Sequence, residues 1–281
     1  MERYEDKDRE VLITAKEIIL GENVSFGDNI QIDVSGIFSL GNRSRIGSNA
    51  RIQGRNIIIG SDLWSSSRDF SGLVIGRGRK AYPDANLTIG DRCTVHNSLI
   101  DLTREVVIGD DVGLSPEVTV YTHGYWSSVL EGFPAKFAGV KIGSGVIVGY
   151  RSTIFAGVTI GDRSVIGLGS VVVKDLLQGP AVYAGNPARF IRNIIPLSKE
   201  EKVVTVSRIL EEYCSLAKFR GVFYSLSLNY PLLRFNGCTF DLEQLVCSGC
   251  EDNSTDDLRD FLFKYGLRFY TKRPFKVFEK R

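Results

Sequence analysis

A chain of 281 residues, 43% hydrophobic and 24% charged, has an ordinary globular composition and the length for one large domain or a domain with an appendage. Its 35 Lys and Arg against 33 Asp and Glu leave a net charge of +2, which gives no reason to expect nucleic acid or an anionic membrane as the main partner. The opening MERYEDKDREVLITAKEIIL is too charged for a secretory segment, and no apolar run is long enough to span a bilayer. Five cysteines form no short even framework, so the sequence reads as a cytoplasmic chain with reduced thiols.

Residues 1–20 carry two apolar triplets, Val11 to Ile13 and Ile18 to Leu20, which read as short strands capping whatever follows. From Gly21 an aliphatic or aromatic residue recurs at a spacing of six with small slips: Phe26, Ile32, Leu40, Ile46, Ile52 and Ile59. A helix has period 3.6 and a strand period 2, so a spacing of six calls for a solenoid that turns a corner after each short strand. Two stretches break the rhythm, SDLWSSSRDFSGL at 61–73 and RGRKAYPDANL at 77–87, and read as loops pushed out from a parallel β-helix. The spacing resumes at Ile89 and Val95 and passes an insertion in SLIDLTREVV, then continues through Ile108, Leu114 and Val120.

The longest interruption, THGYWSSVLEGFPAKFAGV at 122–140, is polar and aromatic and lies between two clean repeat blocks, where long loops usually carry function. The block after it has no slip: Ile142, Val148, Ile154, Ile160, Ile166 and Val172. Gly143, Gly149, Gly161 and Gly167 follow four of these and read as corner residues able to take unusual backbone angles. QGPAVYAGNPARFIR then ends the period, and Pro187 bars a regular ladder there. The domain of repeats spans 21–195.

Residues 196–281 differ in character. Ser198 with Glu201 is a capping-box pattern for a helix to about Phe219, with Val203, Val206, Ile209, Leu210, Tyr213 and Leu216 on one stripe. Two or more strands are expected over 223–240, a helix from Ser254 or Thr255 to Tyr265 ended by Gly266, and a strand over 267–270. This is a small α+β appendage.

The chain has only two histidines. His123 sits in the long loop, where an imidazole titrating near neutrality can serve as a general base, or be a solvated loop residue. His96, at a corner, reads as a hydrogen-bonded structural residue or a second acid. The pair Cys247 and Cys250 lacks the further ligands of a zinc site apart from Cys214 and Cys238, so no metal is assigned.

A loop histidine, the block GVTIGDRSVIGLGSVVVKD and the closing AGNPARFIR together resemble the hexapeptide-repeat acyltransferases, in particular the galactoside, maltose, xenobiotic and polysaccharide O-acetyltransferases. The resemblance covers about residues 21–192. It implies a mainly β chain folded as a left-handed parallel β-helix, a homotrimer with sites between adjacent prisms, and acetyl-CoA as donor with no metal required. By the resemblance, His123 takes the proton of an acceptor hydroxyl, Asn97 and Asp101 contact the acceptor, and Gly149, Gly167 and Gly169 line the pantetheine path. Lys174, Arg189 and Arg192 would meet the coenzyme phosphates, and Ala184, Gly185, Asn186 and Pro187 would lie beside adenine. Asn97 and Asp101 have an alternative role in corner hydrogen bonds. Tyr125 and Trp126 would stack on a sugar ring or anchor the loop on a neighbouring prism. The chain departs from many relatives in lacking a tryptophan at 145–149 and in carrying Tyr150.

The expected activity is O-acetylation of a sugar hydroxyl on a surface glycan or its precursor. N-acetylation of an amino sugar or sugar nucleotide, and a non-catalytic scaffold, are the alternatives. Two histidines exclude the three-histidine zinc site found in the carbonic-anhydrase branch of this fold.

Overall fold

The spacing of six builds a three-sided solenoid of about eight coils, in which a coil gives a short strand, or at Trp64 and Leu176 a single bridge, to each face. The computed structural model describes residues 1–66, 72–76, 82–221, 224–249, 251–273 and 275, in two compact units, Met1–Ile195 and Pro196–Arg281. The first face stacks Val11–Ala15, Ile30–Val34, Arg51–Gly54, Val74–Ile75, Leu99–Ile100, Thr119–Val120, Thr153–Ile154 and Val171–Val172, all parallel. The second runs from Glu17–Leu20 through Ile37–Leu40, Asn56–Ile59, Asn86–Ile89, Val106–Ile108 and Val140–Ile142 to Thr159–Ile160. The third includes Thr94–Val95, Gly113–Leu114, Ile147–Val148, Val165–Ile166 and Ala181–Ala184, with Trp64 bridging Arg45 and Thr94.

The residues that set the period form the core. Ile142, Val148, Ile154, Ile160, Ile166 and Val172 are each at most 2% exposed and stack on their counterparts one coil away. Burying an aliphatic side chain of this size stabilises by roughly 1.5–3 kcal/mol, so the column of repeats is the main source of stability in this unit.

The corners are built differently from the expectation placed on Gly143, Gly149, Gly161 and Gly167. Left-handed backbone falls two residues further on, at Gly145, Arg151, Arg163 and Gly169, with φ of 68°, 57°, 56° and 64°. Gly143 is small for another reason: a Cβ there would lie 2.3 Å from Asp162 Oδ1 and 2.8 Å from the Asp162 nitrogen, where the next coil passes. The glycines after the aliphatics permit close stacking of coils, while asparagine, arginine or glycine takes the strained corner angle.

The segments expected to cap the end form the first coil itself, since Val11–Ala15 and Glu17–Leu20 pair in parallel with the coil above. The covering strand is Glu2–Asp6, antiparallel on Val11–Ala15. At 61–73, Leu63 and Trp64 keep coil register, and Asn86–Ile89 rejoins the second face inside the stretch read as a loop. Residues 67–71 and 77–81 of those two stretches lie outside the described residues. At the far end Ala181–Ala184 still extends the third face. The chain then reverses through Gly185 and returns antiparallel as Arg189–Asn193.

In the second unit, α1 (Lys199–Phe219) begins with the complete Ser198–Glu201 capping box, and α2 (Asn253–Phe263) is capped by Asp252. Four antiparallel strands, Leu226–Asn229, Leu232–Phe235, Cys238–Asp241 and Val246–Ser248, complete it. Tyr213, Leu233, Phe235, Phe240, Leu258 and Leu262 form its core. The strand expected over 267–270 does not form: Phe269 is fully buried with its ring edge-on to Phe240 at 5.0 Å, and the Leu267 amide donates back to the Leu262 carbonyl at the end of α2. Cys238 and Cys247 bring their sulfurs to 2.9 Å, whereas Cys250 lies outside the described residues.

Candidate active site

Leu99–Ile100 and Thr119–Val120 are neighbours on the first face, with Leu99 opposite Thr119. That register carries Thr103 to a place beneath His123 and sets Asp101 beside Thr122, at the corner where the first face turns into the second. The contacts follow: His123 Nδ1 lies 2.7 Å from Asp101 Oδ2 and 3.1 Å from Thr103 Oγ1. The Thr103 hydroxyl donates to Asp101 Oδ1 at 3.1 Å, and Thr122 donates to Oδ2 through both its amide and its hydroxyl. Both carboxylate oxygens are engaged inside the protein.

Asp101 is only 9% exposed. Burial by itself pushes its carboxyl up. Hydrogen bonds from Thr122 and His123 outweigh that and hold it below the usual carboxylate range. An ionised Asp101 accepting from Nδ1–H fixes the tautomer of His123 and leaves Nε2 with its lone pair. This is the arrangement a general base requires, with one ring nitrogen oriented and the other able to accept a proton.

The loop expected over 122–140 closes as a hairpin, His123–Gly124 pairing antiparallel with Lys136–Phe137. Phe137 stacks on the His123 ring at 6.1 Å with an interplanar angle of 17°, and Tyr125 lies 5.6 Å from it on a tilted plane. The His123 side chain keeps 21% of its surface open. Of the two aromatics named in the sequence, Tyr125 joins the histidine and Phe137, while Trp126 is 94% exposed in the connection between the two hairpin strands.

The remaining residues assigned from the resemblance fall into separate places. Asn97 is buried at the opposite end of the first-face strands, at the corner leading in from the third face. Stacked over that same corner are Gly149 and Gly167, then Gly169, and finally Gly185, whose carbonyl accepts from Val171. Ala184 ends the last third-face strand, and Asn186 and Pro187 lie exposed in the following turn. Lys174 is exposed at the corner on the His123 side, two coils further on, and Arg189 and Arg192 are exposed on the returning strand.

For Gly149 and Gly167 the absence of a side chain is already demanded by coil stacking, since a Cβ would meet a neighbouring coil at 2.6 and 2.9 Å. At Gly169 a Cβ would meet nothing within 4 Å, so the corner opens to the surface there, beside Leu168 at 78% exposure. Tyr150 folds back from this glycine edge, its hydroxyl donating to Glu117 at 3.0 Å.

His96 belongs to a different cluster. Its Nδ1 meets the Ser66 hydroxyl and its ring stands edge-on to Trp64 at 5.4 Å, while burial pushes its pKa down, which fits a structural histidine. Thr103, Thr122, Arg104 and Phe137 carry no motif of their own. Only the coil register would have pointed to the two threonines.

Fold and site define a hexapeptide-repeat β-solenoid protein with a histidine–carboxylate pair at one edge. Within that class the chain is similar to acetyltransferases. It is 40% identical over 114 residues to YJL218W of Saccharomyces cerevisiae, a protein whose name assigns it provisionally to the acetyltransferases. That match covers 39% of this chain and 57% of the relative. No family model matches the chain. Among solved structures it is similar to a maltose O-acetyltransferase from Clostridium difficile 630, at 25% identity over 66% of this chain and 70% of the other, with a TM-score of 0.34. It is also similar to the polySia-specific acetyltransferase NeuO, at 22% identity, 72% and 94% coverage, and a TM-score of 0.44. A third is a galactoside acetyltransferase in complex with coenzyme A, at 30% identity, 49% and 64% coverage, and a TM-score of 0.34. The chain spans little more than half the length of the curated relative it matches.

Proposed function

We propose that this chain is an acetyl-CoA-dependent O-acetyltransferase acting on a sugar hydroxyl of a glycan or glycan precursor, with His123 as general base. The observation that carries the proposal is the Asp101–His123 pair, 2.7 Å apart, with the second ring nitrogen unengaged by Asp101 and the ring partly open. In the step it serves, His123 Nε2 takes the acceptor hydroxyl proton as that oxygen attacks the thioester carbonyl, the carbon–sulfur bond breaks, and the proton passes to the departing thiolate. Direct transfer needs no enzyme nucleophile. Cys93, the free cysteine of the described solenoid, suits none: it is buried and its pKa is pushed up to about 11 by that burial.

Asp101, proposed from sequence as an acceptor contact, is better read as the group that orients the base, because its oxygens already accept from Thr103, Thr122 and His123. The base and the glycine edge lie at opposite ends of the first-face strands. A site holding both is therefore completed by a second copy of the chain, and a homotrimer supplies three such sites. The supporting experiment follows thiol release from acetyl-CoA against a panel of sugars and sugar nucleotides. His123→Ala is expected to lower turnover roughly 100-fold to 10,000-fold with acetyl-CoA affinity retained. Wild-type turnover in that variant removes the base assignment, and consumption of an amine in place of a hydroxyl converts the reading to N-acetylation.

A further inference from the structure

We propose that a polar groove on the second face, beginning at Arg104, is a saccharide subsite holding uncharged sugar units that flank the one acetylated at His123; this rests on the acetyl-transfer reading above. The groove has a volume of about 410 Å³ and is lined by Asp84, Asn86, Arg104, Glu105, Lys141 and Thr159, among others. That volume falls in the range of small-molecule sites.

The groove adjoins the base. Thr103, which contacts His123, is followed directly by Arg104, whose guanidinium lies 5.6 Å over the ring of Phe137, the same ring that stacks on His123. A chain of sugar units with one hydroxyl at His123 would therefore pass the Phe137–Arg104 wall and enter the groove.

Its chemistry selects the class of ligand. Two carboxylates and two cations cancel, so there is no net field to hold a polyanion. An apolar ligand would strip water from four charged groups without replacing their hydrogen bonds. Hydroxyls of a sugar satisfy both kinds of group, donating to Asp84 and Glu105 and accepting from Arg104, Lys141 and Asn86. The pair Arg104–Asp84 is 3.7 Å apart and partly exposed, a weak surface contact that a ligand hydroxyl can replace at little cost. The floor is preorganised: Val107, Lys141 and Thr159 are consecutive partners in the second-face ladder, and the Glu105 carbonyl accepts from Val140 at 3.1 Å.

The test uses the full-length chain carrying His123→Ala, which holds an acceptor without turning it over, on an array of neutral and acidic glycans of one to several units. Expected is binding of neutral glycans of two or more units, weakened about tenfold or more by added Lys141→Ala with Glu105→Gln, and equally by Thr159→Trp, which fills the groove. Thermal melts confirm that these variants fold. No bound glycan, undiminished binding in both groove variants, or preference for acidic chains overturns the subsite. The acetyl-transfer reading is judged separately by wild-type thiol release. Transfer with kcat/KM independent of acceptor length leaves that reading standing and removes the groove from it.

Discussion

At the scale of the residue, Asp101 carries most of the argument, because a buried carboxylate is tolerated only when its oxygens are satisfied, and here Thr103, Thr122 and His123 satisfy them. Its pKa lies below the ordinary value, so the folded state gains from its ionised form. That gain is fully present above the unfolded pKa of about 4 and is lost as pH falls through the lower folded value. Asp101→Asn is therefore expected to destabilise the solenoid by about 1–3 kcal/mol near neutrality, with the gap to wild type closing below about pH 4, as read from melts across pH. The same substitution offers Nδ1 no anion and favours the wrong tautomer, so turnover should fall on the order of 100-fold or more. A stability gap unchanged at low pH would show that the carboxylate is not held ionised by these contacts. His123 was legible in the sequence from its place in a long loop. Asp101 was legible as a position, but its partnership with His123 was not, because it arises from which corner of one coil lies under which corner of the next.

At the scale of the element, the repeat of six was readable because each buried aliphatic occupies the same place in every coil, and that is where the sequence is least ambiguous. The glycines show the limit of such reading, since glycine marks both strained angles and close approaches, and only the coordinates separate the two. Gly41 is a close approach: a Cβ there would lie 2.5 Å from both the Gly60 carbonyl carbon and the Ser61 nitrogen, rigid backbone that cannot step aside. Gly113, on the third face, has open space where its Cβ would be. Gly41→Ala should cost about 1–3 kcal/mol in denaturant unfolding, and Gly113→Ala should stay within about 0.5 kcal/mol. Equal effects would contradict the stacking explanation. Segment 267–270 illustrates the opposite failure: a strand is expected there, but Phe269 turns into the core against Phe240 and the segment joins no ladder.

At the scale of the whole molecule, the two edges of the first face differ: the Asp101–His123 pair lies on one, and the open glycine corner, followed by the strand that exposes Arg189 and Arg192, lies on the other. Sequence spacing placed both on the solenoid but said nothing about their being an edge apart. The proposal that one copy's base works on a donor held by another copy's glycine edge makes a direct prediction. Gly169→Arg puts a long side chain on that edge at a left-handed angle that costs a non-glycine residue about 1–2 kcal/mol, a strain Arg151 already carries at the matching corner one coil earlier, φ 57° against 64°. Co-expression of His123→Ala and Gly169→Arg chains under two affinity tags, followed by purification of assemblies carrying both, gives the decisive measurement of thiol release from acetyl-CoA. Each variant alone is expected to be nearly inactive, and the mixed assemblies should turn over at least about tenfold faster than either, since one pairing restores an intact base opposite an intact donor edge. Mixed assemblies no more active than the separate variants, or a chain that remains monomeric while fully active, would contradict the account.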